Sequence, residues 1–105
     1  MRVCFLLNIR KNKVEEYKKQ HRQVWPEMQD ALRATGWRNY SLFLKPDGML
    51  VGYLETDDFE KSCAAMKNYP VNARWQAITA PFFEALSNGA ADDNMVPIEE
   101  VFHLD

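Results

Sequence analysis

The sequence has little of what metal, redox and phosphate sites are usually built from. Its two cysteines, Cys4 and Cys63, show neither metal-ligand spacing nor the spacing of a redox pair. We therefore expect two buried thiols in a reducing, cytoplasmic compartment. The four glycines are scattered and form no phosphate-binding loop. The two histidines are far apart and fit no metal-binding pattern, so neither a metal nor a cofactor is expected.

An excess of basic charge and a long apolar run are also missing. The net charge is -2, from 13 Lys and Arg against 15 Asp and Glu, which argues against a nucleic-acid partner. The first apolar run, over residues 3–7, is far shorter than a signal-peptide core or a membrane helix, so no membrane partner is expected. The 105 residues, 47% hydrophobic and 27% charged, suit one folded domain over residues 1–105.

Hydrophobic periodicity predicts strands and helices in alternation. Residues 2–9 are predicted as a strand, and Asn12 as the N-cap of a long helical stretch that ends near Gly36. Pro26 predicts a kink or break inside that stretch. A second helical stretch is predicted from a cap at Asp57, with an interruption at Pro70.

The remaining segments complete a recognisable order of elements. The turn signal at residues 46–48 predicts a hairpin, residues 87–97 a loop, and residues 98–104 a last strand. The order β-α-β-β-α-β is that of a ferredoxin-like α+β fold, an antiparallel sheet with helices on one face. The helix-free face would expose apolar side chains, so we expect two copies to pair into a dimeric α+β barrel.

His21 is the candidate for chemistry. It lies four residues after Tyr17 and four before Trp25, and this spacing places the three side chains on one helix face. Together with Tyr40 and Trp75, these aromatic residues could form a site for a sugar, whose C–H face stacks while its hydroxyls need partners. Packing in an ordinary core is the alternative interpretation.

Other polar residues are assigned less specific roles. His103 is expected to be partly buried in, or at the end of, the last strand. The acidic pairs at residues 57–58 and 92–93 are interpreted as loop and capping residues.

The first helical stretch also resembles a known family. Its sequence is Glu15-Glu16-Tyr17-Lys18-Lys19-Gln20-His21-Arg22-Gln23-Val24-Trp25-Pro26-Glu27. This run resembles the L-rhamnose mutarotase signature E-E-Y-x-x-x-H-x-x-x-W-P-E. The resemblance continues at Asn39-Tyr40-Ser41, at Arg74-Trp75 and at Glu100-Val101-Phe102-His103-Leu104, and so spans nearly the whole chain.

The resemblance implies a homodimer that interconverts the α and β anomers of L-rhamnose without a cofactor. By position, it implies that His21 is the proton donor and that Tyr17, Tyr40 and Trp75 bind the sugar. Gln76 is counted with the sugar-binding residues, although the family often has a second tryptophan there. The loop over residues 93–97 also departs from the family's D-N-S-P sequence. Because of these two departures, the expected substrate is L-rhamnose or a closely related deoxyhexose rather than L-rhamnose alone.

Mutarotation suits the chemistry of these residues. Ring opening needs a proton delivered to the ring oxygen and another removed from the anomeric hydroxyl, and histidine titrates near neutrality. Tyr17, Tyr40, Glu55 or a water could be the second group. Two other functions stay open at this stage: a dimeric ferredoxin-like oxygenase or haem-handling protein, and a sugar-binding module without catalysis.

Overall fold

A computed structural model describes residues 1–84, 86 and 89–105. Three strands, β1 (Arg2–Asn8), β2 (Arg38–Leu44) and β3 (Met49–Glu55), form an antiparallel sheet in the order β1-β3-β2. The α-helices of the described chain are α1 (Val14–His21), α2 (Pro26–Ala34), α3 (Phe59–Met66) and α4 (Pro70–Thr79). The predicted α+β class and the antiparallel sheet are confirmed.

The two faces of the sheet differ because side chains alternate along each strand. In β1, Val3, Phe5 and Leu7 are buried against the helices, while the residues between them face the other side. Phe5 lies opposite Gly52 in the register of β1 and β3. A Cβ at Gly52 would clash with the tip of the Phe5 ring, so the absence of a side chain there makes room for the ring.

Pro26 divides the first helical stretch as predicted. Helix α1 ends at His21, and α2 begins at Pro26, where the missing N–H of proline costs no hydrogen bond. The predicted N-cap at Asn12 is wrong, because Asn12 lies inside a 3-10 turn, Lys11–Lys13, that precedes α1. The cap of α3 is Asp58 rather than Asp57, since the Asp58 carboxylate accepts a hydrogen bond from the backbone N–H of Lys61.

The predicted last strand is wrong for the described chain. Residues 98–105 have no regular secondary structure, although this segment begins beside the edge strand β1. The backbone N–H of Ile98 donates to the carbonyl of Cys4 at 2.8 Å, and Glu100 forms an ion pair with Arg2. Because β1 begins at Arg2, the segment beyond Glu100 runs past the end of the strand with which it would pair.

Three further predictions concerned the loop before the C-terminal segment, the two cysteines and membrane-spanning helices. The predicted loop over residues 87–97 contains a 3-10 helix, Ala91–Asp93, and its residues 87 and 88 lie outside the described residues. Cys4 and Cys63 are free thiols, but each is only partly buried. Within the described ranges, no helix is long and apolar enough to cross a membrane.

Candidate active site

A cavity of about 790 Å³ lies between the helices and the sheet. This volume falls within the range of roughly 300–1,000 Å³ typical of small-molecule sites. All five residues predicted for the site line it: Tyr17, His21, Tyr40, Trp75 and Gln76. They come from α1, β2 and α4, so the fold brings together side chains that are distant in sequence.

The last turn of α1 fixes the orientation of His21. The imidazole stacks on the phenol ring of Tyr17, with ring centroids 4.0 Å apart and an interplanar angle of 24°. His21 Nδ1 lies 3.0 Å from the carbonyl oxygen of Tyr17. Because a carbonyl oxygen only accepts, Nδ1 carries the hydrogen in this contact, and Nε2 is left for a ligand.

Burial sets the protonation of the aromatic groups in the cavity. It lowers the pKa of His21, and the hydrogen bond to the Tyr17 carbonyl opposes this shift only in part. Burial raises the pKa of Tyr17 and, together with the charge of nearby groups, that of Tyr40. Both phenols therefore stay protonated at neutral pH and can donate hydrogen bonds to a ligand.

Trp75, on α4, contacts aromatic rings at the end of α1 and just before the start of α2. Its indole meets the imidazole of His21 edge-on at 5.3 Å and the indole of Trp25 edge-on at 5.0 Å. The predicted strip of Tyr17, His21 and Trp25 on one helix is wrong in part, since α1 ends at His21 and Trp25 lies beyond it. Trp25 joins this group of rings through Trp75 instead.

An irregularity in β2 accompanies the placement of Tyr40. Asn39 adopts a left-handed backbone with φ 47°, and the register with β3 shifts between Arg38 and Ser41. Tyr40 then lines the cavity and packs against Trp37, with ring centroids 4.9 Å apart. The buried indole N–H of Trp37 has no hydrogen-bond partner within the described part of the chain.

Gln76 belongs to a polar network at the side of the cavity. Its amide nitrogen donates to Asn72 Oδ1 at 3.3 Å, and its oxygen accepts from the backbone N–H of Asp92 at 3.4 Å. Asn72 Nδ2 in turn donates to Asp92 Oδ2 at 2.9 Å. The ammonium of Lys67 contacts the other carboxylate oxygen, Oδ1, at 2.9 Å.

Among the cavity-lining residues that were not predicted from the sequence are Trp37, Asn72 and Asp92. Asp92 was interpreted as a loop acid, yet its side chain is only 9% exposed. Asn72 gave a usable signal, because a polar residue one position after Val71 and three before Trp75 falls on the buried side of α4.

Two polar residues lie away from the cavity. Glu55, a candidate for the second proton-transfer group, accepts hydrogen bonds from Tyr53 and Asn39 and is not among the described residues that line the cavity. His103 lies in the exposed C-terminal segment, where its Nε2 contacts Asp105 at 2.7 Å. Across the described ranges, no three His, Cys, Asp or Glu side chains are grouped as a metal site.

Comparison with known proteins gives a consistent picture. The L-rhamnose mutarotase family model matches residues 2–104. The L-rhamnose mutarotase of Bacillus subtilis is 37% identical over 105 residues, covering 99% of this chain and 98% of that protein. That of Oceanobacillus iheyensis is 36% identical over 104 residues, covering 96% and 95%.

Solved structures agree with the sequence comparison. The crystal structure of an L-rhamnose mutarotase from Formosa agariphila superimposes with a TM-score of 0.77, at 25% identity and over 100% of this chain and 99% of that one. A putative antibiotic biosynthesis monooxygenase from Nitrosomonas europaea reaches a TM-score of 0.62 at 14% identity, covering 96% of this chain and 89% of that one. This second likeness concerns the fold alone. Because the two proteins share that fold, the order of helices and strands does not by itself distinguish a mutarotase from an oxygenase.

Proposed function

The chain belongs to the L-rhamnose mutarotase family and is an enzyme acting on a carbohydrate, and we propose that His21 is the proton donor that opens the sugar ring. The observation that carries this proposal is the contact between His21 Nδ1 and the Tyr17 carbonyl, which leaves Nε2 for the substrate. The stack on Tyr17 and the edge contact with Trp75 restrain the ring on two further sides. A catalytic group held in one orientation loses little freedom when the substrate binds.

The proton moves in opposite directions during opening and closing. In opening, protonated Nε2 delivers its proton to the ring oxygen as the bond between that oxygen and the anomeric carbon breaks. The anomeric hydroxyl loses its proton and becomes the aldehyde oxygen. After rotation about the adjacent C–C bond, the ring hydroxyl attacks the other face of the aldehyde and returns its proton to Nε2. The anomeric oxygen regains a proton, so no atom is gained or lost.

The lowered pKa of His21 suits both halves of this cycle. It makes the protonated imidazole a stronger acid toward the ring oxygen, which is a weak base. It also leaves the imidazole neutral, and able to take the proton back, once the ring has opened. Of the candidates for the group that accepts the anomeric proton, Tyr17 and Tyr40 are disfavoured as bases because burial keeps their phenols protonated. A bound water is the simplest acceptor.

Sugar binding is proposed for Tyr17, Tyr40, Trp75 and Gln76. The Trp75 indole supplies an apolar surface against which the C–H groups of a sugar ring can pack. The two phenols supply hydrogen-bond donors. Gln76 has a second amide hydrogen beyond the one donated to Asn72, and it can donate this hydrogen to a sugar oxygen.

We also propose that the enzyme works as a homodimer. The open face of the sheet exposes Leu6 and Phe43, and the C-terminal segment exposes Val101, Phe102 and Leu104. In a lone chain these apolar side chains would face water, which folded proteins avoid in large patches. A second copy placed on the open face covers it with the same surface of the partner and gives the C-terminal segment a strand edge to pair with.

Saturation-transfer proton NMR on L-rhamnose tests the proposed activity. One anomeric signal is irradiated with and without a catalytic amount of the protein, and transfer to the other anomer is expected only with protein. Fucose, galactose and glucose, run in parallel, test how far the activity extends to other aldoses. Saturable binding of L-rhamnose without any transfer would identify a sugar-binding module instead.

A further inference from the structure

We propose that Asp92 is a further sugar-binding residue, whose carboxylate accepts hydrogen bonds from the hydroxyl groups of the monosaccharide in the cavity. This inference rests on the proposed function, since it requires the sugar to occupy the cavity that His21 lines. The ligand chemistry is that of a neutral aldose, which offers several hydroxyl donors and no charge.

The position of Asp92 is the first support. It stands in the 3-10 helix Ala91–Asp93, far in sequence from His21, yet its side chain lines the same cavity. Tyr40 and Cys63 line the same cavity, and the charge of Asp92 contributes to the raised pKa values of both residues. A ligand that fills this cavity therefore has both Tyr40 and Asp92 in the wall around it.

The second support is the hydrogen-bonding capacity of the carboxylate. An ionised carboxylate offers about four acceptor positions. One position on Oδ1 is taken by Lys67, and one on Oδ2 by Asn72. Among the described residues these are the partners of the carboxylate, so each oxygen keeps an acceptor position that a sugar hydroxyl can fill.

The third support is the rigidity of the arrangement. Lys67 and Asn72 hold the two carboxylate oxygens, and Gln76 holds the backbone N–H of Asp92. The nearly buried side chain therefore has little freedom left to lose when a sugar binds. Gln76, which also lines the cavity, is tied to the same group, so the two residues present an acceptor and a donor side by side.

Asp93 provides a matched control. Its carboxylate contacts the same ammonium of Lys67 at 2.6 Å, and it accepts a hydrogen bond from the backbone N–H of Ala90. Asp93 is not among the described residues that line the cavity. Asp92→Asn and Asp93→Asn thus remove the same charge next to the same lysine, and only the first changes the cavity wall.

The experiment measures the Kd of L-rhamnose by tryptophan fluorescence, since Trp37 and Trp75 line the cavity. Asp92→Asn is expected to raise Kd about tenfold or more, the usual effect of losing a hydrogen bond to a charged group. Asp93→Asn is expected to leave Kd within about twofold of wild type. Circular dichroism checks folding, and if Asp92→Asn does not fold, Asp92→Glu, which keeps the charge but displaces it, is expected to raise Kd in the same direction.

The outcomes separate this inference from the proposed function. An unchanged Kd in folded Asp92→Asn overturns the inference, even if its kcat falls, because a fall in kcat alone assigns Asp92 to proton transfer. Equal rises in Kd for both Asn variants also overturn it, because they reflect the shared lysine. Wild-type protein that binds L-rhamnose without exchanging its anomers contradicts the proposed function, while the Kd of Asp92→Asn still decides the role of Asp92.

Discussion

The imidazole of His21 lies flat on the phenol ring of Tyr17, 4.0 Å away between ring centroids, and is hydrogen-bonded to the carbonyl of the same residue. One residue thus fixes both the plane and the tautomer of the proposed proton donor. The two contacts follow from the i, i+4 spacing on α1, which places the side chain of His21 over that of Tyr17.

Tyr17 variants separate the stacking surface from the hydroxyl. Tyr17→Phe keeps the aromatic ring and removes the hydroxyl, so it is expected to raise the KM for L-rhamnose by roughly twofold to tenfold with a smaller change in kcat. Tyr17→Leu removes the ring as well, so kcat is expected to fall further because the imidazole loses its support. Steady-state kinetics on both variants measures this difference, and equal kcat values would argue against a positioning role for the stack.

The pH dependence of exchange follows from the lowered pKa of His21. A donor must be protonated, so kcat/KM is expected to fall as pH rises through a pKa below the usual 6.5. Burial is the cause, because it disfavours the charged imidazolium. Exchange rates measured between pH 5 and 8 should show this decline. A rate that instead rises with pH over the same range would assign His21 the role of proton acceptor in the limiting step.

Gly52 is expected to tolerate no side chain. An alanine Cβ there would clash with the tip of the buried Phe5 ring, so the ring would have to shift from its position in the core. Gly52→Ala should therefore lower the free energy of unfolding by about 1–3 kcal/mol, as overpacking does. Chemical denaturation at fixed protein concentration measures the loss. Adding Phe5→Leu should recover part of it, and a double variant whose losses simply add would contradict the steric explanation.

The local features of this fold could be predicted from the sequence, and the long-range ones only in part. The predicted helix break and the predicted hairpin are both confirmed. They could be predicted because Pro26 and the turn residues 46–48 restrict the backbone in their immediate neighbourhood. The prediction of a last strand is wrong because an apolar sequence favours a strand but does not show which strand it would pair with. Ile78 lies three residues after the buried Trp75, a spacing that favours the buried side of α4, yet Thr79 is buried and Ile78 is 43% exposed.

The residues of the candidate site also differ in whether the sequence could identify them. The residues of α1 could be identified because Tyr17 and His21 are neighbours on one helix. Asp92 could not, because a carboxylate in a loop gives no sign of which wall the loop will close. Its placement depends on contacts with Lys67 and Asn72, which lie on or beside other helices.

The C-terminal segment gives a test of the proposed dimer. Val101→Asp places a charge on a side chain that is 87% exposed in the single chain, so it should not disturb that chain's fold. If the segment packs on a second copy, the buried charge should weaken the dimer, and sedimentation velocity at micromolar concentration should show a shift toward monomer. Val96→Asp, at a residue 69% exposed outside the segment, is the control. A wild-type protein that sediments only as a monomer would contradict the dimer itself.

The most direct test of the account compares the same substitution at both histidines. Saturation transfer between the anomers of L-rhamnose is measured for wild type, His21→Asn and His103→Asn at equal concentration, with sugar binding checked by fluorescence. His21→Asn is expected to retain the fold and most binding but to lose about 10²–10⁴-fold in exchange rate, the usual contribution of general acid–base catalysis. His103→Asn, at a histidine that is not among the described residues lining the cavity, should exchange the anomers like wild type as long as sedimentation velocity shows the wild-type oligomeric state. A folded His21→Asn protein with the wild-type exchange rate would contradict the central claim.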